Sequence, residues 1–207
     1  MIITEIKNKK NGTEYEIYID DSQKLILDIS LVMKYGIKKE LVIDEEFLNI
    51  LNAEANYKSA YEYSIRLLTL KDRVSSEIVN KLIQRNYSQE TIDMVLAKLI
   101  DLGYIDDEKY IENWLKLKSK APGMSKRTLY YKLLRKGVDR NILENKFKEL
   151  DIDEFDTAFL AAEKKVKSIK GDRNNVRNKL YMYLKRKGYN DETCYNVIRK
   201  VLKDSTW

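Results

Sequence analysis

One pattern occurs three times in this chain at an interval of 51 residues, and it restricts the fold more than any other feature. Its centre is a three-residue turn: Asn86-Tyr87-Ser88, then Gly137-Val138-Asp139, then Gly188-Tyr189-Asn190. The first position is Asn or Gly, the residues that accept the left-handed backbone ending a helix. The second is apolar and suits packing against both flanking helices. The third is Ser, Asp or Asn, whose side-chain oxygen caps the next helix. Four residues past each cap come Ile92, Leu143 and Cys194, where a hydrophobic staple needs an apolar partner.

The flanks repeat as well. Ile78 and Leu82 align with Leu129 and Leu133, then with Leu180 and Leu184. Beyond the turn, Leu96 and Leu99 align with Phe147 and Leu150, then with Ile198 and Val201. Spacings of three and four place each set on one helix face. A further helix precedes each pair, carrying Ala60, Ser64, Leu67 and Leu68, then Ile111, Trp114 and Leu115, then Ala158, Ala161, Ala162, Val166 and Ile169. The predicted fold is mainly α: three tandem three-helix repeats over residues 57–105, 106–155 and 156–207. Such units stack on their neighbours to bury their apolar faces, so an elongated, curved array is expected.

Residues 1–56 do not share the period. Ile2 to Ile6 is strand-like, Asn11-Gly12 is a turn signal, and Tyr15, Ile17 and Ile19 alternate with polar positions. Leu25, Leu27 and Ile29 alternate again after Asp20-Asp21-Ser22. A small β-rich module with a short helix from about Ser30 to Tyr35 is predicted. Asp44 is placed as the cap of a helix carrying Phe47, Leu48 and Leu51. The array is expected to begin afresh near Asn56. The only Pro-Gly break, Lys120 to Met124, is a candidate hinge or contact loop.

Three sets of these residues together resemble the RecX family, the bacterial regulators of the RecA recombinase. They are the run Leu-Ile-Asp-Leu-Gly-Tyr-Ile-Asp-Asp from Leu99 to Asp107, the turn from Arg135 to Val138, and the turn from Lys185 to Tyr189. The resemblance covers about residues 57–203 and departs from the pattern at Asn86, where Gly is expected. It makes Asn86, Gly137, Gly188, Gly103, Tyr104, Asp106 and Asp107 the repeat signature. It implies a cytoplasmic regulator in DNA repair and the SOS response. Such a protein binds the RecA filament on single-stranded DNA and inhibits its ATPase and strand exchange.

Charge distribution fits an anionic partner. The net charge is +6 overall, but it runs from −4 over residues 1–56 and −1 over 57–107 to +4 over 108–155 and +7 over 156–207. Basic side chains gather round the second helix and turn of repeats two and three. In one they are Lys126, Arg127, Lys132, Arg135, Lys136 and Arg140; in the other, Arg173, Arg177, Lys179, Lys185, Arg186 and Lys187. These are the candidate contacts to RecA filament or DNA. Arginine pairs with phosphates or, two-pronged, with carboxylates. The interleaved Tyr130, Tyr131, Tyr181 and Tyr183 suit either base stacking or inter-helix packing.

Catalytic chemistry has little to stand on. The chain has no histidine and one cysteine, Cys194, expected in the core. Neither G-x-x-x-x-G-K-[ST] nor G-x-G-x-x-G is present. Asp106 and Asp107 are the one acidic pair with a metal-binding look, yet with Glu108 they open a helix, where acids cap and face the positive dipole end. Tyr104 is expected to pack at the joint between repeats one and two. No catalytic residue, cofactor or metal is predicted, no apolar run approaches the ~18 residues of a membrane span, and a monomer is expected. Two other readings remain: a stand-alone DNA-binding protein with helix-turn-helix-like units, and a nuclease using Asp106 and Asp107.

Overall fold

The computed structural model describes residues 1–9 and 12–203. Among these lie three strands and ten helices. The chain divides into two compact units, one of residues 1–72 and 78–105, the other of residues 73–77 and the chain from Asp106 on. No helix among the described residues is long and apolar enough to cross a membrane.

The first unit opens with an antiparallel sheet in the order β1 (Ile3–Asn8), β2 (Glu14–Ile19), β3 (Gln23–Asp28). Ile17 faces Leu25 and Ile3 faces Ile19 across the ladders, so one face of the sheet is apolar. Asp20 and Asp21 both take positive φ, 47° and 54°, and Ser22 donates its N–H to the Ile19 carbonyl at 3.1 Å. This tight turn lies within a three-residue connection, Asp20 to Ser22, because Ile19 pairs with Gln23. The expected turn at Asn11-Gly12 falls partly outside the described residues, with Gly12 at φ 75°. Asp28 caps α1 (Ile29–Lys34), and Ile2 bridges to Val42. Ile3, Ile17, Leu27, Leu31 and Leu51 form the module's core.

Asp44 caps a single 26-residue helix, α2 (Glu45–Leu70). The sequence reading had two helices here, the second starting near Asn56. Nothing between Leu51 and Ala60 can stop a helix: Asn52-Ala53-Glu54-Ala55-Asn56 contains neither Gly nor Pro. Leu51 therefore serves the sheet's core, while Ala60 serves the core made with α3 (Ser75–Ile83) and α4 (Gln89–Asp101).

The second unit holds α5 (Asp107–Lys118), α6 (Lys126–Arg135) and α7 (Arg140–Glu149), then α8 (Glu154–Val166), α9 (Arg173–Arg186) and α10 (Asp191–Leu202). The first trio centres on Ile111, Leu129, Leu133 and Leu143; the second on Ala158, Leu180, Leu184 and Ile198. The aligned pairs Ile78/Leu82, Leu129/Leu133 and Leu180/Leu184 are all fully buried. Ile92, Leu143 and Cys194 at the staple position are buried too. Burial pushes the Cys194 thiol up to about 11.

Candidate binding surface

The three turns close with one geometry. Asn86, Gly137 and Gly188 sit at φ 62°, 82° and 86°. Tyr87, Val138 and Tyr189 each donate an N–H to the carbonyl of Leu82, Leu133 and Leu184, at 3.3 Å in every case. The same carbonyls also accept the N–H of Arg85, Lys136 and Lys187 at 3.0 Å, so each helix-end carbonyl takes two donors as the helix closes. Ser88, Asp139 and Asn190 then accept N–H groups of α4, α7 and α10.

Inside the second unit the turns do more than end helices. Ser76 donates its hydroxyl to the Lys136 carbonyl at 2.9 Å. One period on, Ser125 and Thr128 donate to the Lys187 carbonyl at 2.6 and 2.7 Å. A Cβ on Gly137 would collide with Ser76, and one on Gly188 would lie 2.7 Å from the Ser125 hydroxyl. Glycine is required at these two turns because the start of the preceding repeat's second helix presses on them. Asn86 belongs to the first repeat, whose turn follows no earlier repeat, and there Asn supplies the left-handed backbone.

Acidic residues complete each joint. Asp107, the first residue of α5, accepts the N–H of Ser75, the first residue of α3, at 2.8 Å. Glu154, the first of α8, accepts the N–H of Lys126, the first of α6, at 2.6 Å. Asp106 caps α5 by accepting from Lys109 N–H at 2.9 Å. Both members of the acidic pair are thus spent on helix starts. Among the described residues no group of three or more His, Cys, Asp or Glu is arranged to hold a metal. The Pro-Gly loop is anchored, with buried Gly123 donating its N–H to the Thr157 carbonyl at 3.1 Å.

Tyr104 corrects an expectation. It is 55% exposed, while Ile105 is buried. Gly103, at φ 70°, reverses the chain so that Tyr104 faces outward, and the inward place just before the α5 cap goes to Ile105.

The twelve basic candidates separate by what holds them. Lys126 reaches the Leu150 carbonyl at 2.8 Å. Lys136 pairs with Glu77 at 3.2 Å and lies over the Tyr110 ring. Burial opposes its charge, yet the Tyr110 hydroxyl and Glu77 keep its pKa above the ordinary lysine value. Lys185 pairs with Asp191 at 2.9 Å, Arg173 reaches the Leu202 carbonyl, and Lys187 lies over Tyr183. Arg177 is half-buried and engaged within the fold. Arg127 is exposed near the Tyr131 ring, and Lys179 points its ammonium at the Lys170 carbonyl. Lys132, Arg135, Arg140 and Arg186 are exposed, with no hydrogen bond, ion pair or ring contact among the described residues. Arg135 and Arg186 stand one period apart, each the last residue of its helix.

The tyrosines divide similarly. Tyr130 packs edge-on against Phe147 at 5.3 Å, and Tyr181 stacks on Tyr195 while donating its hydroxyl to Asp191 at 2.6 Å. Tyr131 is the one of the four that is largely exposed. Two cations lay outside the sequence reading: Lys165 and Lys170, which share a surface groove with Lys179 and Arg186. The segment Lys164 to Lys170, with four lysines and no acid, was the available signal.

A RecX model of the first three-helix domain matches residues 60–99, and one of the third matches residues 151–202. Regulatory protein RecX of Clostridium perfringens strain 13 is 30% identical over 204 residues, covering 96% of this chain and 95% of its own. The chain belongs to the RecX family. RecX of Clostridium beijerinckii is 31% identical over 198 residues, covering 94% and 92%. A crystal structure of regulatory protein RecX superposes with a TM-score of 0.65 over 99% of both chains at 19% identity. RecX from Lactobacillus salivarius gives 0.60 over 72% of this chain and 97% of that one, at 22%. These likenesses show the fold: a mainly helical chain of three-helix RecX domains with a small N-terminal sheet.

Proposed function

We propose that this protein binds the filament formed by the RecA recombinase on single-stranded DNA and lowers its ATPase and strand-exchange activity, acting as a cytoplasmic monomer. On the same reading the chain divides into an N-terminal module, residues 1–56, and three repeats, with α2 running unbroken across the first boundary. Family membership supplies the regulatory class. The observation that carries the reading to a surface is the pair Arg135 and Arg186, exposed, unpaired among the described residues and one period apart. Charges repeated at a structural period suit a partner that is itself a repeating polymer. Each guanidinium offers a planar fork to carboxylates or phosphates. A ligand that favours one filament state shifts its equilibrium by the difference in affinity alone.

The test is charge reversal at this pair, Arg135→Glu with Arg186→Glu. Neither side chain holds a contact among the described residues beyond the modest favourable charge at its helix end, so the protein should stay folded by circular dichroism, while co-sedimentation with the RecA filament should fall by at least about tenfold, or ~1.4 kcal/mol. Undiminished binding by this folded double variant would remove the assignment.

A further inference from the structure

We propose that the groove between the C-terminal end of α8 and the outer face of α9 binds the phosphodiester backbone of an unpaired nucleic-acid strand. This rests on the filament reading for its choice of strand and adds a site to it. The groove has a volume of about 670 Å³, and its charged lining is Lys165, Lys170, Lys179 and Arg186, with no carboxylate.

That composition differs from that of two other surface grooves. Several lysines elsewhere face acids: Lys24 meets Glu16 at 2.6 Å, Lys34 meets Glu54 at 2.8 Å, and Lys146 meets Glu112 at 2.7 Å. The groove between the sheet and α2 balances its cations with Glu14, Asp28 and Glu62; the one beside α5 and α7 does so with Glu112, Glu149 and Asp151. Lysines at the end of α8 suit the negative end of its dipole, but that end amounts to roughly half a charge. It cannot balance four cations. Their mutual repulsion is relieved by a mobile anion, and a nucleic-acid strand brings several on one chain.

The floor favours an unpaired strand. Met182 is 58% exposed in the groove, next to Ile169. A flexible thioether and an aliphatic side chain offer apolar contact to a base or sugar. A duplex keeps those faces stacked inside; a single strand presents them. Ser168 and Asn178 add hydrogen-bonding groups at the rim.

The experiment uses the full chain, without RecA. Fluorescence anisotropy with labelled oligothymidylate across a salt series compares the parent with Lys170→Glu plus Lys179→Glu. Both side chains are exposed, and Arg186 is left intact. Loss of two phosphate contacts should weaken binding about tenfold and flatten the slope of log affinity against log salt by ~1.4. Lys170→Gln with Lys179→Gln should flatten the slope likewise, with a smaller loss of affinity. Parent protein that does not bind the oligonucleotide, or variants with unchanged affinity and slope, would overturn the site. A hairpin duplex bound as tightly and weakened equally would overturn the unpaired-strand assignment. The two proposals fail separately: a filament left uninhibited by a protein whose strand binding follows these lysines discards the filament reading and keeps the groove.

Discussion

Replacing Gly188 by Ala tests the joint between repeats two and three. The residue sits at φ 86°, where a side chain costs roughly 1–2 kcal/mol. The added Cβ would also lie 2.7 Å from the hydroxyl of Ser125, which is fully buried. Ser125 caps α6 by accepting the Thr128 N–H at 3.1 Å and donates to the Lys187 carbonyl at 2.6 Å. Pushing it aside loses about 1 kcal/mol, near the low end because Thr128 still donates to the same carbonyl. The total is about 2–3 kcal/mol, or a Tm lower by about 4–12 °C. Gly103→Ala is the control: φ is 70°, and nothing lies within 4 Å of its added Cβ. It should cost only the backbone strain. Thermal melts followed by circular dichroism would compare the two, with Ser125→Ala/Gly188→Ala expected to fall short of additivity. Equal losses for Gly188→Ala and Gly103→Ala would refute the close-approach argument.

Two other perturbations address the charged contacts. Lys136→Met should destabilise by about 1–3 kcal/mol in urea unfolding, because it removes the nearer cation from Glu77 and leaves only Arg73, 4.0 Å from the second carboxylate oxygen, which is buried without a hydrogen bond; an unchanged midpoint would mean the pair contributes nothing. Asp191 is held below the ordinary aspartate value of 3.8 by the Tyr181 hydroxyl and then the Lys185 ammonium. A depressed folded pKa means its contribution is present above the unfolded value and is lost as pH falls through the folded one. The carboxyl carbon of Asp191 should therefore titrate in NMR below 3.8 and move upward in Tyr181→Phe; no movement would show that the hydroxyl does not set it.

What the sequence made legible follows from the range of each interaction. The turns were readable because a left-handed residue, an apolar residue and a cap act within a few positions, and three copies remove the ambiguity of one. The sheet was readable from alternation at Tyr15, Ile17 and Ile19. The continuity of α2 was missed because a break was placed at Asn56 where no residue stops a helix; a truncation there would cut α2 within its length. Tyr104 was misplaced because the family box reads as a block, whereas the φ of Gly103 decides which neighbour turns inward. The contacts of Asp107 with Ser75 and of Ser76 with the Lys136 carbonyl span 32 and 60 residues, and no local pattern encodes them. Nor does counting charge show which cations are already engaged: Lys126 and Lys136 are held inside the fold, while Arg135 and Arg186 have no partner among the described residues. Lys165 and Lys170 escaped notice because they lie outside the repeated turn.

The most direct test of the account is the single-stranded-DNA-dependent ATPase of RecA from the same source, titrated with this protein. Anisotropy on the DNA alone would run in parallel at the same salt. Filament recognition predicts inhibition at protein concentrations well below those that coat the naked strand. Inhibition appearing only where the naked strand is also saturated would contradict it, leaving simple competition for DNA.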